Sequence, residues 1–396
     1  MLLDADAAPT NRCREPTVRR VTGMVATMAR PVVISALGVA QILAWGSSYY
    51  LPAVLARPIA SDTGWPFAWV VGGLSLGLLV AGMVSPRVGR AVDHYGGRPL
   101  LMISAVFLSL GLAGMGLAPS LEFYLVAWLV LGFGMGAGLY DASFAALGRL
   151  YGANARRAIT ALTLWGGFAS TVCWPLSALL VDAIGWRGTC FVYAALHVGV
   201  VLPLYTFLLP REIPERQNDQ SSRLRADRAS NFVGVADAQT RLVFLLLATT
   251  LTLGAAITTA IAAHLMTILE ARDIALGAAV ALGALIGPSQ VGARIIEMFV
   301  SRAHHPYWTL VASTLGMAFG LGALWIELPA ISLALVLYGA GVGTSRSRKA
   351  PCHWLCSGRR AIRRSWVVWR CRAWSRSRLP HGLVLSRSKS PERRLR

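Results

Sequence analysis

Val88-Gly89-Arg90-Ala91-Val92-Asp93-His94-Tyr95-Gly96-Gly97-Arg98-Pro99 is a short charged segment between two stretches, 63–86 and 99–121, that hold no charged residue. An α-helix needs about 20 apolar residues to cross the hydrocarbon core of a bilayer, and both stretches meet that length. A brief polar segment between two such stretches reads as a turn at a membrane surface.

The same alternation runs on in both directions. Uncharged stretches lie at 32–56, 63–86, 99–121, 123–140, 158–181, 188–210, 242–269, 274–293, 303–326 and 328–343. Buried helices of a soluble protein imitate one or two of these, not ten in series. Composition agrees: the chain is 55% hydrophobic and 14% charged, where soluble domains carry nearer a quarter charged residues. Gly and Pro inside the stretches fit membrane helices, which tolerate both. The expected fold is all-α and polytopic, with six plus four transmembrane helices.

Charge orients them. With the N-terminus in the cytoplasm, the inside-facing segments before the tail carry 19 Lys and Arg, and the outside-facing loops carry 3: Arg57, Arg187 and Arg272. That asymmetry is the positive-inside pattern, and it puts both termini in the cytoplasm. Residues 1–30 show no apolar core with a cleavage site, so the first helix is expected to act as its own insertion signal. The expected division is a leader 1–31, a six-helix half 32–210, a cytoplasmic linker 211–241, a C-terminal half 242–343 and a basic tail 344–396. A weak internal repeat supports the halves. Gly89-Arg90-Ala91-Val92-Asp93 follows the second span, and Gly292-Ala293-Arg294-Ile295-Ile296-Glu297 follows the eighth. Each has Arg, two apolar residues and an acid. Repeated halves of this kind are a transporter architecture.

The segment from Gly89 to Pro99 resembles the loop signature of the major facilitator superfamily: Gly, three residues, Asp93, a basic residue, one residue, Gly, then basic residues. His94 stands where Arg or Lys is usual, and Gly96 with Gly97 supplies one Gly more than the pattern. Gly89, Arg90, Asp93, Gly97 and Arg98 are then the residues of a conformational loop motif, with Asp93 able to cap a neighbouring helix. Gly185-Trp186-Arg187 resembles another recurrent element of the superfamily, between spans five and six. Asp62-Thr63-Gly64-Trp65, with Trp69 beyond it, is similar to the approach to span two in bacterial transporters related to monocarboxylate porters. The resemblance covers 32–343.

That resemblance implies a bacterial inner-membrane protein that moves a small organic solute by alternating access, a monocarboxylate-like anion foremost, with a proton or other ion as coupling partner. It implies a monomer surrounded by lipid, no resident cofactor and no enzymatic activity. It also implies a central cavity lined by spans one, four, seven and ten. The polar and aromatic candidates there are Gln41, Trp45, Ser48, Tyr49, Tyr140 and His264, because polar residues within a span are functional candidates by default. Plainer roles stand beside these. Tyr49 and Tyr50 suit interface anchors, and His264 suits the outer interface. Asp141 suits a pair with a loop Arg at the cytoplasmic surface and, with Arg294 and Glu297 of the second repeat, is counted with the loop motif; His197 suits packing on span six. Arg294 suits either a solute carboxylate or a structural charge in the second copy of the loop. No Gly-rich phosphate loop ending in Gly-Lys-Ser/Thr is present, and Cys13, Cys173 and Cys190 have no metal spacing, so no metal site is expected in the spans.

The tail breaks the pattern. Residues 344–396 hold fourteen Arg and two Lys against the single acid Glu392, so +15 of the chain's formal +20 lies there. Ser-Arg pairs with aromatics suit single-stranded RNA, and Cys352, His353, Cys356 and Cys371 suggest a weak zinc site. The genetic code offers a third reading. Joining the last base of each codon to the first two of the next turns His353-Trp354 into Leu and Trp366-Val367 into Gly. Trp354-Leu355 becomes Ala or Val. The shifted frame is apolar, as an eleventh membrane helix would be. On this reading the tail is out of frame, no nucleic acid is bound, spans eleven and twelve are missing, and this copy does not transport. The alternative is a non-transporting membrane sensor whose basic tail binds nucleic acid or lipid.

Overall fold

A computed structural model describes residues 30–152, 155–210, 238–300, 306–326 and 330–346, and among them every regular element is a helix. The chain divides by its contacts into two units, Met1–Gln217 with Leu247–Thr344, and Asn218–Leu246 with Ser345–Arg396. The second is almost wholly outside the described residues, as are the expected leader, linker and tail. The helices of the first unit carry the fold.

The first span is two helices, α1 (Arg30–Gly46) and α2 (Pro52–Thr63), separated by a break at residues 47–51. Then come α3 (Phe67–Tyr95), α4 (Gly97–Gly116), α5 (Leu121–Gly138) and α6 (Tyr140–Tyr151). The chain continues through α7 (Ala155–Gly167) and α8 (Ala169–Leu196) into π-helical turns at His197–Val201 and Leu204–Leu208. The later helices are α9 (Ala238–Glu270), α10 (Leu276–Ala284), α11 (Ile286–Val300), α12 (Pro306–Trp325) and α13 (Ile331–Arg346).

By length and composition, six helical runs among the described residues can cross a membrane: 67–95, 97–116, 121–151, 155–208, 248–270 and 276–300. The run 155–208 has 54 residues, enough for the fifth and sixth spans together, and Arg30–Gly46, Val311–Trp325 and Ile331–Thr344 are shorter apolar helices. The outward residues fit: Leu79, Leu110, Leu179, Phe207 and Phe319 are all exposed, which in water would be an aggregation surface and in a bilayer is the correct solvent contact.

Two turns differ from the expected loops. Gly185-Trp186-Arg187 is not a loop but a kink within α8, where Gly185 takes φ 71, ψ 175. Only glycine enters that region without strain, so one residue turns span five into span six. The segment after span two is likewise almost entirely helical. α3 runs to Tyr95, Gly96 at φ 88 makes the turn, and α4 starts at Gly97. Asp93 therefore lies in the last turn of α3. The N-cap of α4 is Gly96, with no side-chain cap.

Close packing comes from small residues in register. A Cβ on Gly132 would sit 2.6 Å from the Gly77 carbonyl, and one on Gly136 would sit 3.0 Å from the Ala81 carbonyl, so this face of α5 meets α3 backbone to backbone. The alternate pair faces α4, where a Cβ would meet Leu108 at Gly134 and Ser104 at Gly138. α13 repeats the device. Gly339 and Gly343 lie against α11, and Gly341 lies against α12. Lipid is as apolar as Leu, so helices in a membrane associate through such close van der Waals contact rather than through a hydrophobic force.

Candidate functional site

The break between α1 and α2 leaves backbone groups without helical partners, and in a dry interior each must find one. Ser48 Oγ donates to the Ala44 carbonyl at 2.5 Å, and the Trp174 indole N–H donates to the Tyr50 carbonyl at 3.0 Å. Gln41 lies fully buried one turn before the break. Its Nε2 donates to the Gly138 carbonyl at 2.6 Å and to Ser143 Oγ at 2.9 Å, and its Oε1 accepts from the Trp45 indole at 3.1 Å. Gly138 is the last residue of α5, so Gln41 ties the first span to the junction of α5 and α6 and occupies a carbonyl that the helix end leaves open.

Aromatic rings surround this network. Trp45 meets Tyr49 edge-on at 5.2 Å between centroids and Tyr140 at 5.0 Å, and Tyr140 stacks on Phe144 at 5.1 Å. Tyr50 meets Trp174 edge-on at 5.5 Å. The Tyr49 hydroxyl donates to Thr259 Oγ1 at 3.0 Å, which links the break to α9. Ser47 Oγ and His197 Nε2 are 2.8 Å apart, both fully buried.

Of the expected site residues, Gln41, Trp45, Tyr49 and Tyr140 thus form one cluster. Ser48 turns back to its own backbone. His264 stands apart, half-buried, its ring 6.0 Å from Phe67. Asp141 is exposed in the first turn of α6, where a carboxylate suits the helix dipole. Arg90 and Asp93 are exposed on α3, while Arg98 reaches the Thr206 carbonyl. Arg294 is buried, its Nε donating to the Gly343 carbonyl at 3.0 Å and a guanidinium N–H to the Thr163 carbonyl. Glu297 is half-buried one turn on. No group of three or more His, Cys, Asp or Glu is arranged for a metal among the described residues.

Two residues of the centre lie outside the sequence-based expectation. Gln290 on α11 and Tyr338 on α13 wall a small space with Tyr50, Trp174 and Thr258. The signal was present, since Gln290 is an uncharged polar residue inside a span. The expectation drew its candidates from spans one, four, seven and ten, and Gln290 belongs to the eighth.

The C-terminal end of α2 is tied to its neighbours. Arg57 on α2 pairs with Glu270 at the end of α9 at 2.9 Å, and Arg272 reaches the Leu324 carbonyl. Asp62, beyond the apolar stretch of the first span, accepts from the Trp186 indole at 2.8 Å and from Arg187 at 2.5 Å, with Arg187 lying over the Trp186 ring. The indole bond first, and then the guanidinium, hold the Asp62 carboxyl below its usual range.

A family profile described as Major Facilitator Superfamily matches residues 36–352. Human Monocarboxylate transporter 11 is 31% identical over 157 residues, 39% of this chain and 31% of that protein. The match therefore spans about a third of the length of this curated relative. Among solved structures, the nucleoside transporter NupG superposes with TM-score 0.61 at 15% identity, covering 81% of each chain. The partially occluded inward-open xylose transporter XylE of E. coli gives TM-score 0.56 at 13% identity, covering 84% of this chain and 87% of its own. At these identities the two structures speak for the fold.

Proposed function

We propose a transport role from one premise: this chain belongs to the Major Facilitator Superfamily. It is a multi-pass membrane protein, and we read it as a secondary carrier of small organic solutes. The observation that carries this is the broken first span, which holds a buried polar network (Gln41, Ser143, Gly138) and contributes Tyr50 to a small walled space. Interrupted helices with polar groups near the midplane are where secondary transporters bind solute, and a fully buried Gln in a span asks for a reason.

The solute class to test first is a monocarboxylate, because curated relatives carry that name. The two helix sets, 32–210 and 242–343, would rock about the contacts of the 47–51 break, α2, α7 and α8 with α9 to α11. The Arg57–Glu270 pair joins the two sets at the end we read as outer, and Arg294 joins them at the end we read as inner through the Thr163 carbonyl, which fits a form closed on both sides. The charge asymmetry supports an inner-membrane protein with both termini inside. Transport by a monomer, driven by a proton or other ion gradient, completes the reading.

The test is uptake of labelled pyruvate and lactate into proteoliposomes under an imposed gradient, by this chain and by a version with the tail's frame restored. Gradient-dependent uptake above empty vesicles, abolished by Gln41→Ala, supports the proposal. No uptake by either form, with RNA binding by the isolated tail, would move the reading to the sensor alternative. Cysteines placed at Asp62 and Asp93 should label from the outside and the inside respectively. The reverse would overturn the orientation.

A further inference from the structure

The space beside the α1–α2 break gathers five elements at one point: Tyr50 from the break, Trp174 from α8, Thr258 from α9, Gln290 from α11 and Tyr338 from α13. Aliphatic side chains complete the wall, and the room left to the centre of a water is about 20 Å³. That admits one water-sized polar group, so the space suits the head of a solute rather than the whole of it.

The wall has a definite chemistry. None of its residues carries a charge. Gln290 is 2% exposed, and its Oε1 has no hydrogen-bond partner. A buried acceptor left open costs about 1–3 kcal/mol, and in a native fold such an atom calls for a reason. Thr258, in the same wall, gives its hydroxyl proton to the Gly254 carbonyl at 2.7 Å, so toward any further partner its oxygen serves as an acceptor. The basic residues nearest in the fold are engaged elsewhere. Arg294, one turn along α11 from Gln290, holds the Gly343 and Thr163 carbonyls. Arg57 and Arg272 hold Glu270 and the Leu324 carbonyl at the outer end. A carboxylate has acceptors only. The wall offers it hydroxyl and amide donors, from Tyr50, Tyr338 and Gln290, but no cation, and a charge buried without a counter-charge is a costly occupancy.

We infer that this space seats an uncharged hydrogen-bond donor of the solute, which gives its proton to Gln290 Oε1: a hydroxyl, a carboxamide or an undissociated carboxylic acid. The rest of the solute lies along the Tyr50 and Trp174 rings. The inference rests on the reading of the chain as a solute carrier and narrows it, because a monocarboxylate would then enter this seat as the acid and not as the anion.

Lactamide and lactate share a skeleton and differ in charge, and they are the probes. Equilibrium dialysis of the purified full-length chain in detergent at pH 7.5 should give lactamide the tighter binding by about tenfold or more, the scale of one hydrogen bond made or lost. Lactate binding should strengthen as the pH falls toward 5, following the undissociated fraction. Gln290→Leu should weaken lactamide about tenfold with an unchanged melting midpoint. Thr258→Val, which removes the second acceptor, should weaken it severalfold and serves if Gln290→Leu does not fold. Lactate bound as tightly as lactamide at every pH, lactamide binding indifferent to both variants, or no binding of either probe overturns the inference. Variant-sensitive lactamide binding without uptake would leave the seat standing and remove the transport role. Lactate uptake indifferent to Gln290→Leu would do the opposite.

Discussion

Arg90 and Arg294 hold matching places in the two copies of a weak repeat, each followed by two apolar residues and an acid. Their fates are opposite. Arg90 is exposed on α3, while Arg294 is 5% exposed and joins α11 to α13 and α7 through the Gly343 and Thr163 carbonyls. The first copy obtains its cation from a neighbour instead. Arg149 of α6 donates to the Asp93 carbonyl and to the Val92 carbonyl, which also accepts the Gly96 N–H, in the last turn of α3, where a positive charge suits the dipole. A repeat sets residue types and topological place. Which helix lies alongside decides whether an arginine is solvated or becomes a clamp.

Removing the clamp should have the largest effect. Arg294→Ala leaves buried carbonyls without donors and should lower unfolding stability by roughly 2–4 kcal/mol, read as a fall in melting midpoint in detergent. Arg294→Lys should recover only part, since one ammonium cannot reproduce the planar fork. A midpoint unchanged by Arg294→Ala would mean that Arg294 clamps nothing and that the two copies are alike.

Next comes the contact that brings the Gly343 carbonyl within reach. A Cβ there would lie 2.5 Å from the Gln290 carbonyl oxygen, so Gly343→Val should push α13 off α11 and cost about 1–3 kcal/mol. In the first copy, Arg149→Ala should cost about 1 kcal/mol, because that side chain is only half-buried and water can replace it. Accelerated hydrogen exchange confined to the last turn of α3 would locate the loss.

A smaller effect is expected at the end of α2, with a pH signature. The Trp186 and Arg187 bonds favour the ionised form of Asp62 in the folded chain. Its lowered pKa means that the stabilisation is full above the unfolded value of about 4 and is lost as the pH falls through the lower folded value. Melting midpoints of the chain and of Asp62→Asn should differ at neutral pH and converge in acid. A gap that widens on acidification would reverse that sign. Arg90→Ala should be the least consequential, within about 0.5 kcal/mol.

Much of the fold was readable in advance for a physical reason. The bilayer forbids unpaired backbone and unpaired charge, so apolar length reports spans almost directly. Gln41, Trp45, Tyr49 and Tyr140 were legible because polar and aromatic residues stand out within apolar helices. Gln290 did not come to notice, although it is as conspicuous in its span as Gln41. The reason is that its meaning depends on Tyr338, Thr258 and Trp174 arriving from three other helices. The turn after span two was misplaced because charge was taken for loop. An α-helix at a membrane surface carries charged residues as readily as a loop does, and only Gly96 marks where the chain turns.

The sequence by itself determined an all-helical membrane fold, the order of its apolar stretches and its family. These follow from composition and spacing along the chain, which a bilayer reads one segment at a time. Only the tertiary structure decided that the first span breaks at residues 47–51, that Arg294 is a clamp while Arg90 is not, and that Gln290 faces a space without charge. The first two depend on groups 49 to 210 positions apart meeting within hydrogen-bond distance, and the third on residues from five elements converging on one space. No local pattern encodes such meetings, because they are settled by which glycine faces let two helices approach.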